Sequence, residues 1–226
     1  MNSTVLIKGE QFPMQLLNEH DVRAIIQLQD RVAEALQTKE HLQKLTVQEI
    51  EEIIVQRLFA GVFAGEMLIA ARAFLLPELD DQHLAKDVGI TEEEWSSVIY
   101  SEISLVDPQF QGNGLQKQMG IWWMEHLQNS RYRYVCATVA PFNIASLKDK
   151  FQLGMTIGAL KEKYTGKLRY VFVKDLHTNQ HYGEKIVVAM DDRDRQQQLL
   201  QSGYRGIAIN LTDTGWTVDY SHYSIS

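Results

Sequence analysis

The segment from Asp107 to Met119, DPQFQGNGLQKQM, is the stretch of the 226-residue chain that decides the fold. It follows the apolar run VIYSEISLV, typical of a strand, and leads into IWWMEHLQ, typical of a helix. Gly112 and Gly114 stand at the junction. Because backbone N–H groups at the start of a helix attract anions, this loop is predicted to hold a phosphate-like group.

The spacing of the glycines excludes two familiar classes of phosphate site. The loop lacks the G-x-x-x-x-G-K-[ST] pattern of nucleotide P-loops, and G-N-G-L-Q-K lacks the third glycine of a dinucleotide fingerprint. A diphosphate held mainly by backbone amides remains, favoured by the helix dipole. A plain turn without any ligand is the alternative that the spacing alone leaves open.

The wider pattern V-D-P-Q-F-Q-G-N-G-L resembles motif A of the GNAT superfamily of N-acetyltransferases, [QR]-x-x-G-x-[GA], which lies between a central strand and a helix. Gln109, Gly112 and Gly114 occupy its specified positions, and Val106 and Pro108 match the common V-x-P lead-in. The chain is also similar to motif B of the family at four positions: Asn143, Ser146, Phe151 and Gly154. The resemblance spans about residues 5 to 174.

The order of predicted elements agrees with that family. A helix from Asn18, a second helix opened by the capping box T-V-Q-E at Thr46, and a hairpin around Gly65 precede the glycine loop. The fold class is therefore α/β (α+β), a mixed, mostly antiparallel central sheet flanked by helices. Residues 1–174 are predicted to form the acyl-CoA-binding catalytic domain, and residues 175–226 a β-α-β-β extension packed on it.

The resemblance implies acetyl-CoA as co-substrate and no metal. Backbone amides of the loop would hold the pyrophosphate, the main chain of the preceding strand would bind pantetheine, and two motif B side chains would contact the cofactor. The cofactor-binding residues implied in this way are Leu105, Val106, Gln111, Gly112, Asn113, Gly114, Leu115, Asn143 and Ser146. Two alternatives stay open, since Asn143 is also a favoured helix N-cap and Ser146 an ordinary first-turn serine.

The resemblance also implies direct attack by the amine within a ternary complex. Glu102, on the central strand, is predicted to project into an apolar site as a base or water-organiser; an exposed strand face or an ion pair with a buried arginine is the alternative. The backbone amide near Leu105 would stabilise the oxyanion. Many members place a tyrosine seven residues after the motif B asparagine, but this chain has Lys150 there.

Another tyrosine is therefore needed as the general acid, unless the thiolate leaves unassisted. Tyr164 is the chosen candidate, with Tyr170, Tyr182 and Tyr204 as alternatives. The lone Cys136 lies in a strand pattern and is interpreted as a buried apolar residue rather than a covalent nucleophile. The pair His177 and His181 lacks a third metal ligand and is interpreted as solvated loop residues.

Net charge and the length of apolar runs limit the classes of partner that are expected. A net charge of -7 gives no basic field for nucleic acid or an anionic membrane, so neither partner is expected. No apolar run reaches the roughly 18 residues of a membrane span, and the single cysteine suits a reducing, cytoplasmic setting. A homodimer is possible.

The predicted function is transfer of an acetyl group from acetyl-CoA to a primary amine, on a small molecule or a peptide. A non-catalytic acyl-CoA-binding regulator of the same fold is the alternative, supported by the lysine at position 150. A structural or interaction protein whose glycine loop is only a turn ranks last.

Overall fold

The computed structural model describes residues 3–36, 42–164, 166–178 and 180–225. For residues 223–225 it describes the backbone alone. The chain divides into two compact units. Unit 1 comprises Met1–Leu75 and Ser101–Glu125, and unit 2 comprises Leu76–Tyr100 and His126–Ser226. The strand at Val98–Val106 and the helix at Leu115–Gln128 each contribute to both units.

Unit 1 is built from strands in the order β1-β2-β3-β4-β5, with helices from two parts of the chain. Its elements are β1 (Ser3–Ile7), β2 (Glu10–Leu16), α1 (Val22–Ala35), α2 (Val47–Val55), β3 (Phe59–Ala64), β4 (Met67–Leu75), the second part of β5 (Val98–Val106), and most of α4 (Leu115–Gln128). The predicted capping box at Thr46 is present and opens α2. The predicted hairpin joins β3 to β4 through Gly65, whose φ of 60° suits a glycine.

Strand β2 is absent from the predicted elements. The structure pairs it antiparallel with β1, from Ser3 opposite Met14 to Ile7 opposite Glu10. The segment EQFPMQL hides the strand because it contains Pro13 and buries only Met14. Proline is tolerated where a strand leaves its N–H unpaired.

Unit 2 is built from strands in the order β5-β6-β8-β7-β10-β11-β9. Its further elements are α3 (Leu84–Asp87), β6 (Tyr134–Val139), α5 (Ile144–Gln152), β7 (Thr156–Lys163), β8 (Lys167–Asp175), β9 (Gln180–Ala189), α6 (Arg193–Gln201), β10 (Arg205–Thr212) and β11 (Gly215–Ile225). The pair β5–β6 is parallel, and the other pairs described in this unit are antiparallel. The mixed, mostly antiparallel sheet flanked by helices is confirmed.

The last quarter of the chain has the predicted strand, helix, strand, strand order. Gly206 of β10 lies opposite Ile157 of β7, so close that an added Cβ would sit 2.9 Å from the Ile157 side chain. The buried Gln196 of α6 accepts hydrogen bonds from the hydroxyls of Tyr170 (2.7 Å) and Tyr220 (2.8 Å). These contacts join this segment to β7 and β8; the division into a domain 1–174 and an extension 175–226 stays a prediction.

Candidate functional site

Two arginines of unit 1 fix the ends of the glycine loop. Arg31 Nε lies 2.6 Å from Oδ2 of Asp107, the first loop residue, whose own N–H donates to the Ile69 carbonyl. The fully buried Arg72 donates to the Gln116 carbonyl in the first turn of α4, at 3.1 Å. Arginine side chains therefore bond to both ends of the loop.

The two glycines adopt a backbone conformation that other residues rarely take. The φ angles of Gly112 and Gly114 are 79° and 71°. An added Cβ on Gly112 would meet no atom within 4 Å, so this glycine borders open space. A flat, exposed backbone at this point can be approached closely by a ligand.

Side-chain amides hold the carbonyl groups of the loop. Asn113 Nδ2 donates to the carbonyls of Phe110 (3.0 Å) and Gln111 (3.3 Å), and Gln118 Nε2 donates to the carbonyl of Asn113 at 3.4 Å. In a planar trans peptide the N–H points opposite to the C=O. The N–H groups of Gln111, Gly112 and Gly114 are thus turned away from these amide side chains.

The start of α4 adds to this set. The Gly114 carbonyl accepts the Gln118 N–H at 3.0 Å, which opens the helix and leaves the N–H groups of its first turn facing the loop. Within the described part of the chain, the N–H groups of residues 111 to 115 have no hydrogen-bond acceptor. These amides fit a group with several negative oxygens, such as a diphosphate.

Strand β5 leads into this loop with alternating faces. Ser101, Ile103 and Leu105 are buried, whereas Glu102 is exposed and Val106 is half-buried. The strand's period of two places Glu102 on the more exposed face of β5. That its carboxylate projects into an apolar site stays a prediction. An exposed strand face was the alternative. Its catalytic role stays a prediction.

The parallel pairing of β5 with β6 is short. It joins Val98–Tyr100 to Tyr134–Cys136, which is three residue pairs. Strand β6 continues beyond Cys136, and on its other side it stays paired with β8 as far as Val139 opposite Tyr170. The last residues of β6 therefore remain paired with β8 beyond the point where the pairing with β5 ends.

Tyr164 lies beside this part of β6. Its hydroxyl is 3.3 Å from Oγ1 of Thr138, two residues beyond the last parallel pair, and the side chain is 55% exposed. The other candidates are placed differently: Tyr170 is buried and bonded to Gln196, Tyr182 donates to Gln180, and Tyr204 packs on the His222 ring. Burial also raises the pKa of Tyr170. Among the four candidate tyrosines, Tyr164 is the most exposed.

The motif B residues form the start of α5. Asn143 is the N-cap, and its Oδ1 accepts the N–H of Ser146 at 3.3 Å, so the capping alternative is confirmed. Ser146 is half-buried in the first turn. Lys150 is buried with its Nζ 3.2 Å from Oδ2 of Asp149. Cofactor contacts by Asn143 and Ser146 stay predictions.

Cys136 is fully buried in β6, and burial raises the pKa of its thiol, which disfavours the reactive thiolate. His177 and His181 are exposed. The described ranges contain no group of three or more His, Cys, Asp or Glu arranged to hold a metal. Nor do they contain a helix long and apolar enough to cross a membrane.

The sequence-based prediction missed an aromatic cluster in unit 2. The buried ring of His83 stacks on Trp95 with centroids 4.7 Å apart, and its Nδ1 accepts the N–H of Ala85. The Tyr100 hydroxyl accepts the N–H of Leu84 at 2.5 Å. The connection between residues 77 and 95 is therefore partly buried. In the sequence, the sign of this buried cluster is Trp95, an aromatic residue that follows three glutamates.

Comparisons with known proteins place the fold. No protein-family model matches the chain, and no curated protein matches it significantly. Solved structures do match. A GNAT-family acetyltransferase from Listeria monocytogenes is 19% identical with a TM-score of 0.57, covering 76% of this chain and 99% of that one.

Two further structures show the same likeness. The PaiA N-acetyltransferase from Thermoplasma acidophilum, in complex with coenzyme A, is 11% identical with a TM-score of 0.53, covering 74% of this chain and 99% of that one. The ribosomal-protein-S18-alanine N-acetyltransferase from Escherichia coli is 13% identical with a TM-score of 0.53, covering 72% and 92%. The chain therefore has the fold of GNAT acetyltransferases.

Proposed function

We propose that this protein is an acetyl-CoA-dependent N-acetyltransferase that acts on a primary amine. The observation that carries the proposal is the glycine loop, whose carbonyls are held by side chains while its N–H groups lack acceptors within the described residues. A simple turn does not need this arrangement. The fold, shared with structures solved with coenzyme A, supports the same ligand.

In this proposal the donor is bound mostly by main chain. The amides of Gln111, Gly112, Asn113, Gly114 and Leu115 hold its pyrophosphate. Open space at Gly112 fits a phosphate, because a Cβ there would fill it. The main chain at Leu105 and Val106 contacts pantetheine, and Asn143 and Ser146 contribute from the start of α5.

The chemical step follows from the groups available. The amine nitrogen attacks the thioester carbonyl carbon, the C–S bond breaks, and the acetyl group becomes an amide. Glu102, through water, takes the proton that the ammonium must lose, and the Leu105 amide stabilises the oxyanion. Tyr164 donates a proton to the leaving thiolate. Its accessible hydroxyl beside Thr138 supports this role.

The acceptor is proposed as a small-molecule or peptide amine. The neighbour from Escherichia coli is named for acting on an alanine of a ribosomal protein. We further propose a cytoplasmic protein, since one cysteine suits a reducing compartment, and a homodimer as a possible assembly. No nucleic-acid or membrane partner is proposed.

One observation favours a second function, a regulator that binds acyl-CoA without turnover. Lys150 occupies the position where the family commonly has its tyrosine, and it is buried against Asp149. Release of free CoA thiol from acetyl-CoA across a panel of amines separates the two functions. Thiol release that depends on an amine supports the enzyme; tight binding without release supports the regulator.

The binding itself is tested with two matched glycine variants. Gly112→Val and Gly65→Val both place a side chain at a positive φ bordered by open space, so each should destabilise the fold by about 1–2 kcal/mol. Only Gly112→Val should weaken acetyl-CoA binding, by about 100-fold, through loss of about two charge-assisted hydrogen bonds. Calorimetric titration measures the affinity. Equal affinities in the two variants would remove the loop from the binding site.

A further inference from the structure

The side-chain amide of Gln118, one turn into α4, binds three backbone groups at once. Its Oε1 accepts the N–H of Leu6 at 2.8 Å, and its Nε2 donates to the Leu6 carbonyl at 2.9 Å. The same Nε2 donates to the Asn113 carbonyl in the glycine loop at 3.4 Å. One amide therefore joins strand β1 to the loop.

The two bonds to Leu6 fix how this amide is oriented. An amide has one acceptor oxygen and two N–H donors. With Oε1 on the Leu6 N–H and one donor on the Leu6 carbonyl, the second donor is directed to Asn113. Exchanging the amide's oxygen and nitrogen would place two oxygens together and two donors together. Strand β1 thus selects the donor that meets the loop.

The Asn113 carbonyl needs this donor because the residue after it, Gly114, is a glycine. Gly114 accepts positive and negative φ with similar ease, so the peptide between Asn113 and Gly114 can turn over at low cost. If it turned, the carbonyl oxygen would face the anion in place of the Gly114 N–H. A carbonyl dipole directed at a diphosphate repels it.

We propose that Gln118 is a positioning residue for the anion-binding loop, and that it makes the affinity for the donor's diphosphate depend on strand β1. The proposal rests on the proposed acetyl-CoA binding. Gln118 does not touch the diphosphate; it acts through the Asn113 carbonyl, which holds the Gly114 N–H outward.

The test compares coenzyme A with pantetheine. Coenzyme A carries the diphosphate and the phosphorylated adenosine attached to it, and pantetheine carries neither. In Gln118→Met, which keeps length and loses all three bonds, the dissociation constant for coenzyme A should rise about tenfold, and that for pantetheine should stay unchanged. Gln118→Ala provides a second variant with the same expectation if the methionine packs differently.

Trp122→Phe is the matched control. Trp122 Nε1 donates to Ser3 Oγ at 2.8 Å and so links the same helix to the same strand. It should keep the wild-type ratio of the two dissociation constants, even with a lower melting temperature.

Three outcomes overturn the proposal. Weaker binding of both ligands by the same factor in Gln118→Met would show a general structural role. Unchanged binding of both would show that the loop holds itself. A tenfold loss also in Trp122→Phe would assign the effect to the attachment of β1 alone. Separately, wild-type protein with equal affinity for both ligands would disprove diphosphate binding, and with it the proposed function.

Discussion

The glycine loop of unit 1 and the hydroxyl pair of unit 2 are built in different ways. The loop presents backbone N–H groups, and the side chains of Asn113 and Gln118 hold the carbonyls of the same peptides, all within a dozen residues of one another along the chain. The hydroxyl pair joins Thr138 of β6 to Tyr164 of the β7–β8 turn, which are 26 residues apart in the sequence. The bonds inside the loop join residues that are near in sequence, whereas the hydroxyl pair depends on how strands pair.

In the proposed function, the loop amides of unit 1 bind the donor's pyrophosphate and Tyr164 of unit 2 protonates the thiolate. Glu102 is the residue that tests this division. Glu102 lies on β5 within unit 1, yet it is proposed as the base. We expect Glu102→Gln to lower turnover about 100-fold with acetyl-CoA affinity changed little, because general-base catalysis contributes on this scale. Steady-state kinetics and titration measure the two effects.

Glu66→Gln is its control, since Glu66 is an exposed carboxylate in the β3–β4 turn of the same unit. It should leave both quantities unchanged. Normal turnover of Glu102→Gln at saturating amine would remove this carboxylate from the mechanism and confine proton transfer to unit 2.

The proposed role of Tyr164 as proton donor tests the part of the site that lies in unit 2. Tyr164→Phe should lower turnover about tenfold and leave coenzyme A affinity unchanged. The effect is smaller because a thiol has a pKa of about 8.5, so its thiolate leaves without much assistance. Tyr182→Phe removes another accessible hydroxyl, bonded to Gln180, and should have no effect. A Tyr164→Phe variant that weakens binding instead would place this hydroxyl on the donor rather than on the proton path.

The sequence predicted those features that depend on a few neighbouring residues. The capping box at Thr46, the glycine turn at Gly65 and the loop at Gly112 each follow from conformations that only certain residues adopt. The strand and helix adjoining the loop were also predicted, since their apolar periods differ. The capping position of Asn143, which the sequence left open beside a cofactor contact, follows the same local logic.

Features that join distant residues were not predictable. Gln118 and Leu6 are 112 residues apart, and nothing in either segment indicates that they meet. Strand β2 was missed because its sequence is polar and contains a proline, and only pairing on both sides makes it a strand. The exposed position of Glu102 required the sheet's faces to be known, which a run of mostly apolar residues does not define.

The smallest expected effect is the contribution of the buried His83 in unit 2 to the pH dependence of stability. Burial lowers the pKa of His83 below 6.5; Asp80 opposes the shift and Lys163 adds to it. The unfolded chain therefore binds the proton more tightly, so the free energy of unfolding falls as the pH drops below about 6.5, and levels off below the folded-state pKa.

His83→Asn keeps a capping oxygen for Ala85 but cannot titrate, so its free energy of unfolding should fall less steeply over this range. The difference in slope is at most about 1.4 kcal/mol per pH unit, the limit for one proton. Urea unfolding at a series of pH values measures it, and parallel curves for the two proteins would show that His83 takes up its proton as readily in the folded state as in the unfolded chain.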